Sequence, residues 1–224
     1  MLSKITRLQE ALSKIKGKVG LAFSHQIEDT IAIDWVLQTN FPKERLEIFT
    51  LNTHKLFKES LEYQEEVSNF FQISIQSYEA KGEDLQKVEE EVGLWGMRES
   101  LEKRKLCCFL RKIKPLGYAL KDKEAWISGL RIAQSVTRAD IALVEQDKNF
   151  NLIKINPLFD IDDKTMWDYA KSQNLPLNAL YAKNFTSIGC EPCTRPIKEG
   201  EDIRAGRWWW ENPNHKECGL HLKS

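Results

Sequence analysis

The sequence predicts an α/β protein built on a parallel sheet with helices on both faces. Short apolar segments alternate with segments of helical periodicity, and polar clusters follow two of the apolar segments. With 224 residues, the chain suits one large domain better than two complete ones. Strands separated by helices are joined by right-handed crossovers, and the ligands of such sheets bind beyond the carboxyl ends of the strands.

The first half of the chain shows a regular series of helices and strands. Ile5, Leu8, Leu12 and Ile15 recur at helical spacing, which predicts an amphipathic opening helix over residues 4–16. We expect strands at residues 18–23, 45–51 and 73–78, and helices at residues 27–37 and from the mid-fifties to about 71. The first strand leads through Ser24 into a helix, a step that presents backbone amides to an anion.

The second half is less regular. We expect a solvated helix at residues 81–91, a buried strand at 126–130, a strand pair within 141–159 and a helix at 163–173. Beyond residue 175, Gly, Pro, Cys, Arg and three consecutive tryptophans replace regular periodicity. We interpret residues 1–224 as one domain whose segment from about 175 to 224 is a functional cap and tail.

Charge and hydropathy exclude several classes of protein. Lys and Arg together number 33, as do Asp and Glu, so the formal net charge is zero and no general basic field attracts nucleic acid or an anionic membrane. No apolar run approaches the roughly 20 residues of a membrane span, and the amino end alternates apolar and charged residues, unlike a signal peptide. We expect a soluble, cytoplasmic protein with no nucleic-acid partner; a homo-oligomer remains open.

The five cysteines divide into four plus one. Cys107 and Cys108 are adjacent, Cys190 and Cys193 are separated by two residues, and Cys218 stands alone near the carboxyl end. Four thiolates suit a structural zinc or an iron-sulfur cluster, although buried free thiols are a third possibility. Neighbouring side chains on a helix diverge by roughly 100°, so the adjacent pair requires a distorted helix end or a target wider than one ion.

The cysteine pairs belong to a larger set of motifs. They are accompanied by Gly206, Arg207 and three tryptophans, and then by a tail in which Cys218 precedes His221 by three residues. These motifs resemble the assimilatory adenylylsulfate (APS) reductases that carry a 4Fe-4S cluster, and the resemblance runs from Phe23 to His221. It implies an adenine nucleotide alpha hydrolase-like, Rossmann-like fold and a cluster held by four ligands: Cys107, Cys108, Cys190 and Cys193.

The resemblance also implies a reaction. In that family a terminal cysteine attacks the sulfur of APS, releases AMP and keeps the sulfonate as an enzyme thiosulfonate; thioredoxin or a glutaredoxin then releases sulfite. Cys218 matches this nucleophile, and His221 matches a substrate-binding residue that could orient the thiol or the sulfate. Both catalytic assignments compete with a frayed chain end that carries an incidental Cys and His.

Three cations match substrate-binding positions of the family. Arg204 and Arg207 can share a face and match sulfate and phosphate ligands, for which a permanently charged guanidinium fork is suited. Lys112 lies four residues after Cys108 and matches a lysine between cluster and substrate. Without the surrounding motif, all three would be ordinary solvated side chains.

A second arginine pair, Arg131 and Arg138, falls in the family segment that follows a strand and binds phosphosulfate. Ser135 and Thr137 could add hydroxyl donors there. The sequence does not decide which arginine contacts the substrate, and either one could belong to a structural ion pair instead.

Two amino-terminal segments resemble nucleotide-binding loops of the same superfamily. Ser24 and the amides after it match a modified phosphate loop, where Glu28 and Asp29 favour the helix start. This loop lacks the double glycine of ATP-splitting relatives, which argues against a pyrophosphatase. Asn52 and His54 replace the Asp and Gly of a Thr-Leu-Asp-Thr-Gly segment, so nucleoside contacts are in doubt there.

The sequence therefore predicts an enzyme, a thioredoxin-dependent APS reductase of sulfate assimilation. The alternatives are a PAPS reductase, a zinc-stabilised nucleotide- or phosphate-binding protein and, with less support, a tRNA-modifying relative. In this family, PAPS-specific enzymes generally lack the four cluster cysteines. The three consecutive tryptophans, Trp208, Trp209 and Trp210, could stack on adenine, but we expect them to pack the cap over the sheet.

Overall fold

The computed structural model describes residues 1–134 and 140–212 and contains a six-stranded sheet of order β3-β2-β1-β4-β6-β5. The strands are β1 Lys18–Ala22, β2 Leu46–Asn52, β3 Ile75–Glu79, β4 Lys123–Ile127, β5 Val144–Asp147 and β6 Leu152–Ile155. The helices are α1 Leu2–Ser13, α2 Ile27–Leu37, α3 Lys58–Phe71, α4 Gly82–Glu91, α5 Leu101–Cys108, α6 Lys114–Leu120 and α7 Asp163–Ser172.

The sheet is parallel except at one edge, which confirms the predicted fold class. Strand β1 is flanked by parallel β2 and β4, with Val19 opposite Leu46 and Ala125. Strand β5 pairs antiparallel with β6 in the expected strand pair. The carboxyl ends of β1, β2 and β4 therefore meet at one edge of the sheet, where ligands of open α/β sheets bind.

Alternation along β1 places helices on both faces of the sheet. Val19 and Leu21 are fully buried in a core shared with α1, α2 and α7. Gly20 faces the other way, where a Cβ atom would lie 3.0 Å from the Phe49 ring and 3.6 Å from Leu120 on α6. A side chain there would displace the Phe49 ring, so glycine lets this second layer pack closely.

Strand β4 differs from its predicted range. It spans Lys123–Ile127, so it begins three residues before the predicted start and ends three residues before the predicted end. Ser128, Gly129 and Leu130 leave the sheet, although Ser128 and Leu130 are buried. The sequence of this buried loop is as apolar as that of a buried strand, so the pattern extended the predicted strand into the loop.

The helix that carries the adjacent cysteines is distorted directly after them. Helix α5 begins at a Ser100 cap, whose side chain accepts a hydrogen bond from the Lys103 amide, and it ends at Cys108. A π-helical turn, Phe109–Ile113, then leads into α6. Such turns rotate the following side chains relative to a regular α-helix and are frequent at functional sites.

The segment after α7 is irregular, as expected. It contains short 3₁₀ turns at Ala179–Lys183 and Glu191–Cys193 and one isolated bridge between Thr194 and Arg207. Over residues 1–134 and 140–212, no helix combines the length and apolar character that crossing a membrane requires.

We expect Leu21→Ala to lower the free energy of unfolding by about 2–5 kcal/mol, because it opens a cavity in the central strand. Leu2→Ala is the control, since Leu2 is 82% exposed. Urea unfolding followed by circular dichroism measures both variants. Equal losses would contradict the placement of β1 in the core.

Candidate functional site

A cavity of about 470 Å³ opens at the carboxyl ends of β1, β2 and β4. Its wall combines the loop after each strand with the irregular carboxyl-terminal segment. Seven of the polar lining residues are Ser24, Thr53, Lys112, Ser128, Arg131, Arg204 and Arg207. The predicted polar clusters after the first two strands therefore lie together, as the parallel topology requires.

The loop between β1 and α2 is held by internal hydrogen bonds. The Ser24 amide and hydroxyl donate to Asp29 Oδ2 at 2.7 and 2.6 Å. The Ile27 amide, at the start of α2, donates to the Tyr181 hydroxyl at 3.0 Å. Ser24 lines the cavity as predicted, but its two donors point to a carboxylate of its own loop.

His25 occupies a backbone position that favours glycine. Its φ is 65°, a left-handed conformation that costs energy for a residue with a side chain. Burial lowers the pKa of the His25 imidazole to about 4, so the ring is neutral near pH 7. Its Nε2 lies 3.1 Å from Gln64 Oε1 on α3, which keeps the loop tied to that helix.

Asp29 is buried against the loop that follows β4. Its carboxylate lies next to the Cα of Gly129, and a Cβ atom at Gly129 would also lie 2.8 Å from the Glu28 Cβ atom. Burial raises the pKa of Asp29 from its ordinary 3.8 to about 7, although the hydrogen bonds from Ser24 oppose the rise. Only a glycine at 129 lets these two loops approach so closely.

Arg131 lies in an ion-pair network at the same place. Its Nε and Nη2 donate to Glu28 Oε1 at 3.1 and 2.9 Å, Nη2 to Asp163 at 2.7 Å and Nη1 to the Ile161 carbonyl at 3.0 Å. Gln134 also donates to Glu28, at 2.9 Å. Of the two roles that the sequence left open for Arg131, these contacts support the structural ion pair.

Three further cations line the cavity. Arg207 is buried, and its Nη1 donates to the Ile188 carbonyl at 2.8 Å. Its guanidinium occupies the space that a side chain at Gly189 would need. Arg204 and Lys112 line the same cavity. The structure thus brings together three of the cations singled out in the sequence.

The four described cysteines line a second, smaller cavity. Lys55, Arg104, Arg111 and Lys112 share its wall, and Lys112 is the cation that lines both cavities. None of these four cysteines is in a disulfide, and within residues 1–134 and 140–212 no group of three His, Cys, Asp or Glu side chains is arranged to hold a metal ion.

The cationic wall changes the acidity of one thiol. Burial disfavours the Cys190 thiolate, but Lys112, Thr53 and Arg207 outweigh burial and lower the pKa of that thiol. The Thr53 hydroxyl oxygen lies 3.3 Å from Cys190 Sγ. By contrast, burial raises the pKa of Cys193 to about 12. The surroundings of Cys190 therefore favour its thiolate, whereas those of Cys193 disfavour it.

The turn containing Cys190 and Cys193 is tight, as its proline suggests. The Cys193 amide donates to the Cys190 carbonyl at 2.9 Å, and the Glu191 amide donates to the Lys55 carbonyl at 2.7 Å. Arg98 donates to the Pro192 carbonyl at 2.8 Å. These contacts fix the turn to the loops around β2 and α5.

Trp208 contacts one cation from the wall of each cavity. The Arg104 and Arg207 guanidinium groups each lie 4.6 Å from the centre of its ring. Trp208 is buried in one cluster with Cys193 and Leu110, and among the described residues this cluster contains none from a strand. It therefore packs against the helices near the cysteines and not over the sheet as expected, and its two cation–π contacts join the walls of both cavities.

Comparison with known proteins decides the family. Residues 18–196 match the phosphoadenosine phosphosulfate reductase domain. The chain belongs to this family. Adenosine 5'-phosphosulfate reductase of Burkholderia cepacia is 41% identical over 225 residues, or 99% of this chain and 89% of that protein. The protein of the same name from Rhizobium tropici is 47% identical over 172 residues, 77% of this chain and 96% of that protein.

A solved reductase structure shows the same fold. Phosphoadenylyl-sulfate (PAPS) reductase of Candida auris, in a phosphate complex, superposes with a TM-score of 0.68 at 22% identity, covering 84% of this chain and 88% of that one. The resemblance to this reductase family, inferred from the sequence motifs, is confirmed.

Three of the predicted site residues, Arg138, Cys218 and His221, lie outside the described residues, and so do the two candidate hydroxyl donors, Ser135 and Thr137. The remaining nine all line one of the two cavities. Sequence reasoning missed Arg104, whose Nε donates to Glu211, although its position four residues before Cys108 was a usable signal. It also missed Asp163 as a partner of Arg131, for which the sequence carries no signal.

We expect the stability difference between the native protein and Asp29→Asn to depend on pH. The pKa of Asp29 is about 7 when folded and near 3.8 when unfolded, so the unfolded chain loses this proton first as pH rises. Between about pH 4 and 7 the native protein should therefore lose up to about 1.4 kcal/mol per pH unit relative to the variant. Urea unfolding across this range measures the difference.

Asp160→Asn is the matched control. Burial raises the pKa of Asp160, but Arg7 and Lys4 outweigh burial and hold it below its ordinary value. Above about pH 4 Asp160 is therefore ionised in both the folded and the unfolded chain, and the effect of Asp160→Asn on the free energy of unfolding should not change with pH. A pH-independent difference for Asp29→Asn over the same range would contradict the buried, protonatable carboxyl.

Proposed function

We propose that this protein reduces adenosine 5'-phosphosulfate to sulfite and AMP in assimilatory sulfate reduction. The observation that carries the proposal is that a cationic, nucleotide-sized cavity shares Lys112 with a cavity lined by four thiols. The relatives at 38–47% identity, which are named adenosine 5'-phosphosulfate reductase, support the same substrate.

In this proposal three of the cations that line the cavity bind the phosphosulfate. Arg204 and Arg207 offer guanidinium donors to phosphate and sulfate oxygens, and Lys112 adds a point charge. Arg138, four residues beyond Gln134, joins this set by sequence position. Ser24 contributes the rim of the phosphate loop, while its amide and hydroxyl hold the loop closed on Asp29.

The four thiols would hold a 4Fe-4S cluster. The donor set fits, because four cysteines outside any disulfide line one cavity and four cations share its wall, which offsets the negative charge of ligating thiolates. The adjacent pair, Cys107 and Cys108, at the end of a distorted helix, suits a wide cluster better than a single zinc ion. When bound, the cluster would supply a fixed charge distribution beside Lys112; no electron needs to pass through it.

The chemistry then proceeds at Cys218. Its thiolate attacks the sulfur of the sulfonyl group, a sulfur–sulfur bond forms, and the bond from that sulfur to the phosphate oxygen breaks, so AMP leaves with the electron pair. Lys112, Arg204 and Arg207 stabilise the charge that develops on the leaving phosphate. His221, three residues beyond Cys218, orients the thiol or the sulfate.

An external dithiol completes the turnover. A thiolate of thioredoxin or glutaredoxin attacks the Cys218 sulfur and expels sulfite, and a second thiol of the donor resolves the mixed disulfide. Sulfur thereby gains two electrons and the donor is oxidised to a disulfide. Such a donor is kept reduced in the cytoplasm, where we expect the protein to act.

A PAPS reductase is the second candidate, because the two substrates differ by a 3'-phosphate. The Candida auris structure bears that name at 22% identity. Turnover on purified APS and PAPS separates the two, and a strong preference for PAPS would reject the substrate assignment.

We expect the native protein to gain the mass of one sulfonate when it is incubated with APS in the absence of reductant. Cys218→Ser should bind APS but show no added mass, because the attacking thiol is missing. Intact-mass spectrometry followed by peptide mapping measures both. A sulfonate on the Cys218→Ser variant would contradict the nucleophile assignment.

We expect Cys107→Ser to lose bound iron and sulfide after anaerobic purification, because one ligand of the cluster is removed. Cys218→Ser is the matched control and should retain both. Metal analysis and absorbance spectra report the cluster independently of activity. A colourless native protein with stoichiometric zinc would overturn the cluster assignment.

A further inference from the structure

We infer that Glu28 and Arg131 form a positioning pair, which holds the phosphate-loop helix against the segment after β4 and so sets the affinity for the nucleotide. In this role Arg131 acts through other groups and does not contact the substrate. The inference rests on the proposed function and adds a residue pair that fixes the geometry of its binding site.

The contacts of Arg131 leave little of its guanidinium for a ligand. All three nitrogens donate to protein acceptors: Nε and Nη2 to Glu28, Nη2 also to Asp163, and Nη1 to the Ile161 carbonyl. The side chain is 2% exposed, and that of Glu28 is 9% exposed. A buried ion pair this well satisfied loses hydrogen bonds whenever either partner is removed.

The charge around Arg131 is also wrong for an anion site. One guanidinium faces two carboxylates, Glu28 and Asp163. An incoming phosphate or sulfate would therefore meet excess negative charge here. Three other cations that line the same cavity are available to the anion instead: Lys112, Arg204 and Arg207.

The pair connects three elements at the rim of the cavity. Glu28 lies in the first turn of α2, directly after the phosphate loop, and Asp163 begins α7. Arg131 and Gln134 lie in the segment after β4, and both donate to the same oxygen of Glu28. The segment is thus fixed at two points, which lie seven and four residues before Arg138 in the sequence.

A second contact keeps the same two loops together. Asp29 follows Glu28, and its carboxylate lies against Gly129, two residues before Arg131. Two adjacent acidic residues therefore contact the segment after β4: Asp29 contacts its start and Glu28 contacts its middle. Removing the Glu28 contact leaves the Asp29 contact in place, so the variants should fold while the segment shifts.

The experiment is a double-mutant cycle with Glu28→Gln, Arg131→Gln and the double variant, in the full-length protein. We expect each single variant to raise the KM for APS and the Kd for AMP on the order of tenfold, with kcat changed much less. The double variant should be no worse than either single one, because both substitutions break the same link. Arg131→Lys, which keeps the charge and part of the bonding, should fall between native and Arg131→Gln.

Lys123→Gln is the control for burial of charge alone. Lys123 is buried and pairs with Glu47 and Asp122, but it does not line the cavity. This variant should lower the melting temperature and leave KM and Kd unchanged. If the Glu28 and Arg131 variants behave in the same way, the pair is only structural and the inference is wrong.

A direct substrate contact by Arg131 would give a different pattern. Arg131→Gln would then weaken binding while Glu28→Gln left it unchanged or improved it, and that asymmetry would also overturn the inference. Calorimetric binding of AMP does not depend on turnover. A native protein that binds AMP but does not reduce APS would therefore contradict the proposed function. The double-mutant cycle would still test the positioning pair, because its AMP dissociation constants could still be measured.

Discussion

The site depends on two neighbouring carboxylates at the start of α2. Asp29 accepts both donors of Ser24 and lies against Gly129, while Glu28 accepts from Arg131 and Gln134. The loops after β1 and β4 are thereby joined across the carboxyl edge of the sheet. Burying an acid is costly, and burial accordingly raises the pKa of Asp29 to about 7.

The cations that line the cavity differ in their surroundings. Arg131 is paired with Glu28 and Asp163, whereas Lys112 and Arg207 lie close enough to Cys190 to lower the pKa of its thiol. A ligand with an anionic group at one end is therefore favoured with that group toward Lys112 and Arg207. In the proposed function, that orientation brings the sulfonyl group toward Lys112 and the cysteine cavity.

Local sequence patterns predicted the fold well where they reflected local structure. The predicted helix at residues 27–37 has the bounds of α2, because an apolar run with acidic residues in its first turn is a local signal. The predicted range of β4 was wrong by three residues at each end. Ser128 and Leu130 are buried in a loop packed against α2, and the sequence pattern does not distinguish that burial from burial in a strand. The four cysteines were found by spacing, and they do share one cavity.

The missed part of the site consists of long-range contacts. Arg104 and Glu211 are 107 residues apart, and Arg131 and Glu28 are 103 apart, so no periodicity relates them. Trp208 contacts Arg104 from the wall of the thiol-lined cavity and Arg207 from the wall of the larger cavity. A substitution of this one indole therefore changes contacts in both walls at once, so the two compartments must diversify together.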